Sequence, residues 1–284
     1  MKKLLIGGSP CTHWSIAQKK NRETTANGLG WELFKNFLIA KEKFKPDFFL
    51  YENNKSMASA IKEQITKELG VEPILINSAL VSAQNRQRYY WTNIPNVEQP
   101  KDRGIFLRDV VKKDRVWFEI LPWSLKKWGG KRKLDTLRTL DSDKSFCVTT
   151  NKSHPKNYYL NKSRTMMTKL DSEEVELMQT IPIGYTKSIV EGKRFCCIGN
   201  CWTAEVIIHI LKHANIPLDE ELQILSMYDG IATGRYCLDK MGYKNVTYTA
   251  YEIDKYAIQV AMSNYPDIIQ KGDAFQVREE GWSI

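Results

Sequence analysis

Long apolar runs are missing from this 284-residue chain. Its opening Met1-Lys2-Lys3 is basic, but the apolar stretch Leu4-Leu5-Ile6 stops after three residues. That is too short for a signal peptide or a membrane span. Cysteine is sparse. The six residues at 11, 147, 196, 197, 201 and 237 include no second cluster to complete a metal-ligand spacing around 196, 197 and 201. No metal is therefore expected, and a reduced, intracellular setting is the simple reading: a cytoplasmic protein, bacterial or phage-encoded. No Gly-Lys-Ser or Gly-Lys-Thr follows any glycine loop, which excludes a phosphate-cradling P-loop. Internal repeats and low-complexity tracts are absent too.

What is present is positive charge, unevenly spread. The net charge is +9, and residues 96–160 alone hold 15 Lys or Arg against 8 Asp or Glu, a balance of +7. A basic surface concentrated in one segment suggests a polyanion partner, nucleic acid before an anionic membrane. A merely solvated basic face is the plainer alternative. The segment also carries Trp117, Trp123, Trp128 and a Gly129-Gly130 turn, and reads as a small separate domain or a large insertion.

The flanking regions alternate strand and helix. Lys3-Leu4-Leu5-Ile6 is long enough for a buried strand, ended by Gly7-Gly8. Pro10 biases Ser9 toward an extended backbone. Cys11 then sits in a tight loop at a strand's carboxyl end, where open α/β sheets place ligands. A thiol there is a nucleophile if something lowers its pKa; a small buried cysteine in a turn is the blander reading. A helix over residues 30–44 follows, with Leu33, Phe34, Phe37, Leu38 and Ala40 apolar and Pro46 as its stop. Residues 47–51 form a strand ending at Glu52-Asn53-Asn54, and 55–69 a helix with Met57, Ile61, Ile65 and Leu69 on one face. Residues 73–76 and 89–92 are further strands, making half of a doubly wound α/β sheet.

After the basic segment, 171–179 reads as a capped helix and 203–213 as another. From about residue 220 the α/β rhythm returns. A strand over 222–227 runs into Tyr228-Asp229-Gly230-Ile231-Ala232-Thr233-Gly234, a helix follows, and a strand over 246–251 ends at Glu252. A helix over 254–264 and a short strand over 267–269 lead to Gly272-Asp273. Strand, glycine loop, helix, strand and acid is the layout of an adenosine-binding half, with Glu252 accepting bonds from ribose hydroxyls.

Gly8-Ser9-Pro10-Cys11, Glu52-Asn53, Gln84-Asn85-Arg86-Gln87-Arg88, Gly199-Asn200 and the 228–234 loop together resemble the signature blocks of DNA (cytosine-5) methyltransferases. The resemblance covers both α/β portions. Most of that family has the cofactor loop first and Pro-Cys after it, so this chain resembles a circular permutant cut just before the Pro-Cys strand. The 228–234 loop, Arg86-Gln87-Arg88-Tyr89-Tyr90-Trp91 and Cys201-Trp202 are most similar to the animal de novo type. The resemblance implies a Rossmann-like, S-adenosyl-L-methionine-dependent α/β fold with a small target-recognition domain. Residues 1–95 would be the catalytic half, 96–160 the recognition region, 161–217 a return to the catalytic domain and 218–284 the cofactor-binding half.

The chemistry agrees with that family. Carbon 5 of cytosine is a poor nucleophile until a thiolate attacks carbon 6, and Cys11 supplies one. A carboxyl on the adjacent strand end, Glu52, can protonate ring nitrogen 3 if burial raises its pKa. Arg88 suits the exocyclic oxygen, with Arg86 supporting the nucleophile side or serving as a structural partner. The target base must be flipped out of its duplex. By resemblance, the cofactor residues are Tyr228, Asp229, Gly230, Ile231, Thr233, Glu252, Ile253, Asp273, Leu33, Asn200 and Trp202. The expected DNA contacts are Ser15, Arg132, Lys133 and Arg138, with Lys112, Lys113, Lys126 and Lys127 as phosphate partners. A recognition segment of about fifty residues delivers few base contacts, so a target of about two to four base pairs is expected.

Two departures stand out: Glu52-Asn53-Asn54 where the family has Glu-Asn-Val, and Pro10-Cys11-Thr12 where Pro-Cys-Gln is more frequent. The rival readings are a tRNA cytosine-5 methyltransferase, whose Cys-Phe-Thr block is absent, and a catalytically dead DNA-binding regulatory homologue. Against the latter, Cys11, Glu52, Arg88 and the cofactor loop occur together.

Overall fold

A computed structural model describes residues 1–17, 20–120 and 137–284. In chain order its main elements are β1 (Lys2–Gly7), α1 (Leu29–Phe44), β2 (Phe48–Asn54), α2 (Ser59–Leu69), β3 (Ile74–Asn77), β4 (Gln87–Thr92), α3 (Leu107–Val110) and β5 (Phe118–Glu119). Then come β6 (Tyr158–Leu160), β7 (Met166–Lys169), α4 (Ser172–Met178), α5 (Glu191–Asn200) and α6 (Ala204–Lys212). The chain closes with β8 (Leu222–Met227), α7 (Thr233–Met241), β9 (Val246–Tyr251), α8 (Lys255–Asn264) and β10 (Ile269–Gln270).

These elements form two compact units. The first comprises Met1–Ile76, Gln87–Gln99 and Val206–Ile284; the second comprises Asn77–Arg86 and Pro100–Glu205. Compactness thus groups residues 161–205 with the basic segment rather than with the main sheet.

The first unit is a mixed α/β body around a seven-stranded sheet of order β10-β9-β8-β1-β2-β4-β3. β10, β9, β8, β1 and β2 pair in parallel, and β4 runs antiparallel to β2. Such a mostly parallel sheet is consistent with a Rossmann-like methyltransferase fold. The chain winds outward from β8 toward one edge and from β1 toward the other, so the β1/β8 pair is the topological switch point, beside which open sheets bind ligands. Lys2 registers with Leu222 and Gly7 with Met227.

Parallel strands buried on both faces read as continuous apolar runs, as Leu4, Leu5 and Ile6 do. One face is covered by α1 and α2 through Trp31, Phe34, Phe37, Ile61 and Ile65, which pack with Leu5, Phe49, Tyr51, Trp91, Leu225 and Met227. Burying each such side chain contributes roughly 1.5–3 kcal/mol. α2 begins at Ser59 rather than at 55, because β2 continues through Asn54 and residues 55–57 turn.

The second unit holds a three-stranded sheet of order β5-β7-β6, antiparallel throughout. The expected capped helix at 171 is present. Asp171 accepts the Glu174 N–H, and the Glu174 carboxylate accepts the Asp171 N–H. Glu174 also forms a buried ion pair with Arg115 at 3.1 Å. The Gly129-Gly130 turn, Trp123, Trp128, Lys126, Lys127 and the candidate base contacts Arg132 and Lys133 lie outside the described residues.

Candidate active site

The Cys11 turn leaves β1 at the switch point. Cys11, half-buried, opens a single 3-10 turn (Cys11–His13), and its carbonyl accepts the Trp14 and Ser15 N–H groups at 3.1 and 2.9 Å. β2 lies alongside in parallel, with Gly7 opposite Tyr51. Strand alternation then sends Tyr51 and Asn53 to one face and Glu52 to the other. Tyr51 Oη and Ser9 Oγ are 2.6 Å apart, and Asn53 Nδ2 donates to the Ser9 carbonyl at 3.1 Å and to Tyr51 Oη at 3.2 Å. Burial pushes the Tyr51 phenol well above its usual pKa, so it stays a neutral hydrogen-bonding group.

Gly8 is required by close approach. A Cβ there would stand 2.7 Å from the Glu52 carbonyl oxygen and 3.2 Å from its Oε2. Glu52 Oε1 in turn accepts Arg88 Nε at 3.0 Å, with the two side chains 13% and 16% exposed. Antiparallel pairing of β2 with β4 makes this possible, setting Asn54 opposite Arg88 and Glu52 opposite Tyr90. Thiol turn, carboxylate and guanidinium therefore come together on the ends of three adjacent strands.

Asn54 is explained by the loop beyond Cys11. Its Nδ2 and N–H donate to Asn53 Oδ1, and its Oδ1 accepts Ser56 Oγ at 2.6 Å. Ser56 Oγ accepts the Ile16 N–H at 3.3 Å, and its carbonyl accepts Arg22. An apolar side chain could not start this relay. Glu23 completes the loop by accepting Trp14 Nε1 and the Gly30 N–H.

On the other side of the switch point, the 228–234 loop joins β8 to α7. Tyr228, Gly230 and Ala232 all have φ near +60°. Space beside Gly230 is open, since a Cβ there would meet nothing within 4 Å. Glu252, just past β9, accepts the Gly230 N–H through one oxygen and the Ile253 and Asp254 N–H groups through the other, each at 2.8 Å. Ile253 is 74% exposed, whereas Ile231 and Thr233 are buried. Asp229 Oδ1 accepts Tyr248 Oη at 2.6 Å and Ser226 Oγ at 2.7 Å, while its Oδ2 and Thr233 Oγ1 are buried without partners. Burial pushes the Asp229 carboxyl up to about 6.

Asp273, exposed, caps the 3-10 turn Ala274–Arg278 through the Phe275 N–H. Arg278 at the end of that turn donates to Asn36 Oδ1 at 2.6 Å, and Asn36 donates to Tyr228 Oη. Tyr228 Oη donates to the Leu33 carbonyl at 2.7 Å. Helix α1, from the thiol half of the chain, thereby links the start of the 228–234 loop to the turn that follows Asp273.

Arg86, Asn200 and Trp202 belong to the second unit. Arg86 is 4% exposed and donates to the carbonyls of Gly199 and Cys201 at 3.1 and 2.8 Å, with its other nitrogen 3.6 Å from Cys147 Sγ. Its geometry is that of a brace for the 199–201 segment. Asn200 is exposed and Trp202 half-buried.

Two expected DNA contacts have partners within the second unit. Arg138 lies over the Phe146 ring at 4.3 Å and donates to the Lys144 carbonyl. Lys112 pairs with Asp171 and Glu173 at 2.6 and 2.5 Å, beside the start of α4. Ser15 Oγ accepts the Ala17 N–H at 3.2 Å. Among the described residues, no group of three or more His, Cys, Asp or Glu side chains is placed to hold a metal ion.

The model of the C-5 cytosine-specific DNA methylase family matches residues 2–166, more than half of the chain. The chain belongs to that family, and DNA cytosine methyl transfer is the activity the family defines.

Sequence reasoning gave no role to Tyr51, Ser9, Ser56 or Glu23 and did not find the Arg278–Asn36–Tyr228 connection. For Tyr51 a signal existed. It stands two residues before Asn53 in a strand, hence on the same face, and its hydroxyl is polar in an otherwise apolar run.

Proposed function

We propose that the chain is an S-adenosyl-L-methionine-dependent DNA (cytosine-5) methyltransferase that works through a covalent Cys11 adduct on a flipped cytosine. The observation that carries this reading is the Cys11 turn held against the Glu52–Arg88 pair, one strand away from the 228–234 loop. The loop suits the cofactor: open space at Gly230, a carboxylate at Glu252 and two unpartnered buried oxygens, Asp229 Oδ2 and Thr233 Oγ1. Gly230, Glu252, Asp229, Thr233, Ile253 and Asp273 would hold it, with Leu33 as further lining. When bound, the cofactor supplies an electrophilic methyl group.

The residues then divide the work. Cys11 sulfur bonds to carbon 6, and the carbon 5–carbon 6 electron pair shifts into the ring as the Glu52 carboxyl gives a proton to nitrogen 3. Carbon 5, now nucleophilic, takes the methyl group. Loss of the carbon-5 proton to water re-forms the double bond, expels Cys11 and returns the nitrogen-3 proton to Glu52. Arg88 holds Glu52 and presents its remaining N–H groups to the exocyclic oxygen of the base. Arg86 braces the 199–201 segment of its own unit.

The chain further reads as a circular permutant, closest to the animal de novo type. In support, β1 pairs with β8 along its whole length, and the Met1 amino group contacts Glu220 at 2.6 Å, just before β8. Joining Ile284 to Met1 through a short Gly/Ser linker and opening the chain near Asp219 should then give an active enzyme. A folded but cofactor-blind product would argue against permutation. The basic region after residue 96 is assigned to target recognition, with a duplex site of about two to four base pairs.

The deciding experiment uses duplex DNA carrying 5-fluorocytosine, which blocks proton loss. Native protein should form a denaturation-resistant complex in the presence of cofactor, and Cys11→Ser should not. Bisulfite sequencing of DNA treated with pure protein reads the site, and a strict six-base target would refute the short-site assignment.

A further inference from the structure

Cys11 is attached to the sheet on both sides, and the upstream attachment is unusual in being side chain to side chain. Ser9, two residues before the thiol, is buried, and its Oγ lies 2.6 Å from Tyr51 Oη. Asn53 Nδ2 donates to that same phenol oxygen and to the Ser9 carbonyl. Because Asn53 occupies an acceptor position of Tyr51 Oη, the phenol hydrogen is free to point at Ser9 Oγ. The three groups close on one another with no exposed member. Tyr51 is itself fixed by ring contacts with Phe34, Phe37 and Trp91 at 5.1, 4.9 and 5.8 Å between centroids. A rigid aromatic in the core thus ends in a hydroxyl aimed at the turn that carries the thiol.

We infer that Tyr51, acting through Ser9, is a positioning residue for the Cys11 thiol: its hydroxyl fixes the turn so that sulfur meets carbon 6 of the base at bonding distance. This rests on the covalent role of Cys11 proposed above. The Glu52 side of β2 belongs to the chemistry, and the Tyr51–Asn53 side holds the backbone on which the chemistry depends. A thiol displaced by about 1 Å reacts up to about a hundredfold more slowly. Loss of one of several constraints should fall short of that.

The test compares native protein, Tyr51→Phe, Ser9→Ala and the double variant. Trapping on 5-fluorocytosine duplex should slow about tenfold in either single variant. The double variant should be no slower than the worse single, because one shared bond is removed each time. KM for DNA and for cofactor should stay within about twofold while kcat falls. Alkylation of Cys11 by iodoacetamide without DNA should be unchanged, since a small free reagent needs no single fixed direction of approach to the thiol.

Native-rate trapping by both single variants would overturn the inference, and so would alkylation falling in step with trapping, which would mean the bond acts on thiol ionisation. If Tyr51→Phe fails to fold, Ser9→Ala carries the same test with the core untouched. Native protein that does not trap at all would overturn the covalent reading and the inference with it. Native trapping with unaffected variants overturns the inference alone.

Discussion

The two sides of the switch point solve different problems with the same sheet. On the thiol side, Ser9, Tyr51, Asn53, Asn54 and Ser56 donate to and accept from one another. On the side of the 228–234 loop, Tyr228, Gly230 and Ala232 have positive φ, and Asp229 Oδ2 and Thr233 Oγ1 are buried and unpartnered. A buried polar atom without a partner costs about 1–3 kcal/mol. The thiol side uses its hydrogen bonds to make the turn rigid, whereas the 228–234 loop keeps two polar atoms uncommitted, as the proposed cofactor site would need. A nucleophile needs one geometry, and a binding loop needs groups that a partner completes.

The sharpest way to break that contrast is Cys11→Ser. Turnover should fall at least about a thousandfold, with DNA binding retained in a gel-shift titration. Next in size is Glu252→Ala. On the proposed binding mode it removes two charge-assisted bonds to the ribose, each worth about 1.5–3 kcal/mol, and it also frees the Gly230 N–H. Calorimetry should show cofactor affinity reduced at least tenfold, and unchanged affinity would refute the assignment.

Asp229 offers a pH test of the cofactor side. Its folded pKa of about 6 lies above the unfolded 3.8, so the folded protein holds a proton that the unfolded chain has released. Its contribution is full below pH 3.8 and is lost as pH rises through about 6, on the order of 3 kcal/mol across the window. Asp229→Asn should flatten that part of the stability curve in urea titrations. The smallest effect belongs to Lys112→Ala. Its two ion pairs are solvent-exposed and screened, so stability should drop by less than about 1 kcal/mol. The salt dependence of DNA binding should not change, whereas a phosphate contact would lower the slope by about one unit.

Much of this organisation was legible before any coordinates. The strands at 222–227 and 246–251 fall where they were expected, because short segments rich in β-branched, aromatic and aliphatic residues between turn signals suit strands buried in a parallel sheet. The Gly-rich loop, the acid after the next strand and Pro10-Cys11 were readable because each depends on a local backbone requirement. α2 was read four residues too early, since Asn54 continues β2 through pairing with β4, a long-range contact invisible to periodicity.

Charge was the least legible property. Counting Lys and Arg over 96–160 finds a basic segment, but Lys112, Arg115 and Arg138 there direct their charges at α4, Glu174 and the Phe146 ring. Sequence by itself determined which chemical groups exist and the strand ends on which Cys11, Glu52 and Glu252 stand, because those follow from local period and turn chemistry. Only the tertiary structure decided that Tyr51 bonds Ser9, that Arg88 rather than Arg86 pairs with Glu52, and that Asn36 joins Tyr228 to Arg278. Hydrogen bonds of that kind join residues 36 to 242 positions apart and need angles that only the packed sheet and helix α1 supply.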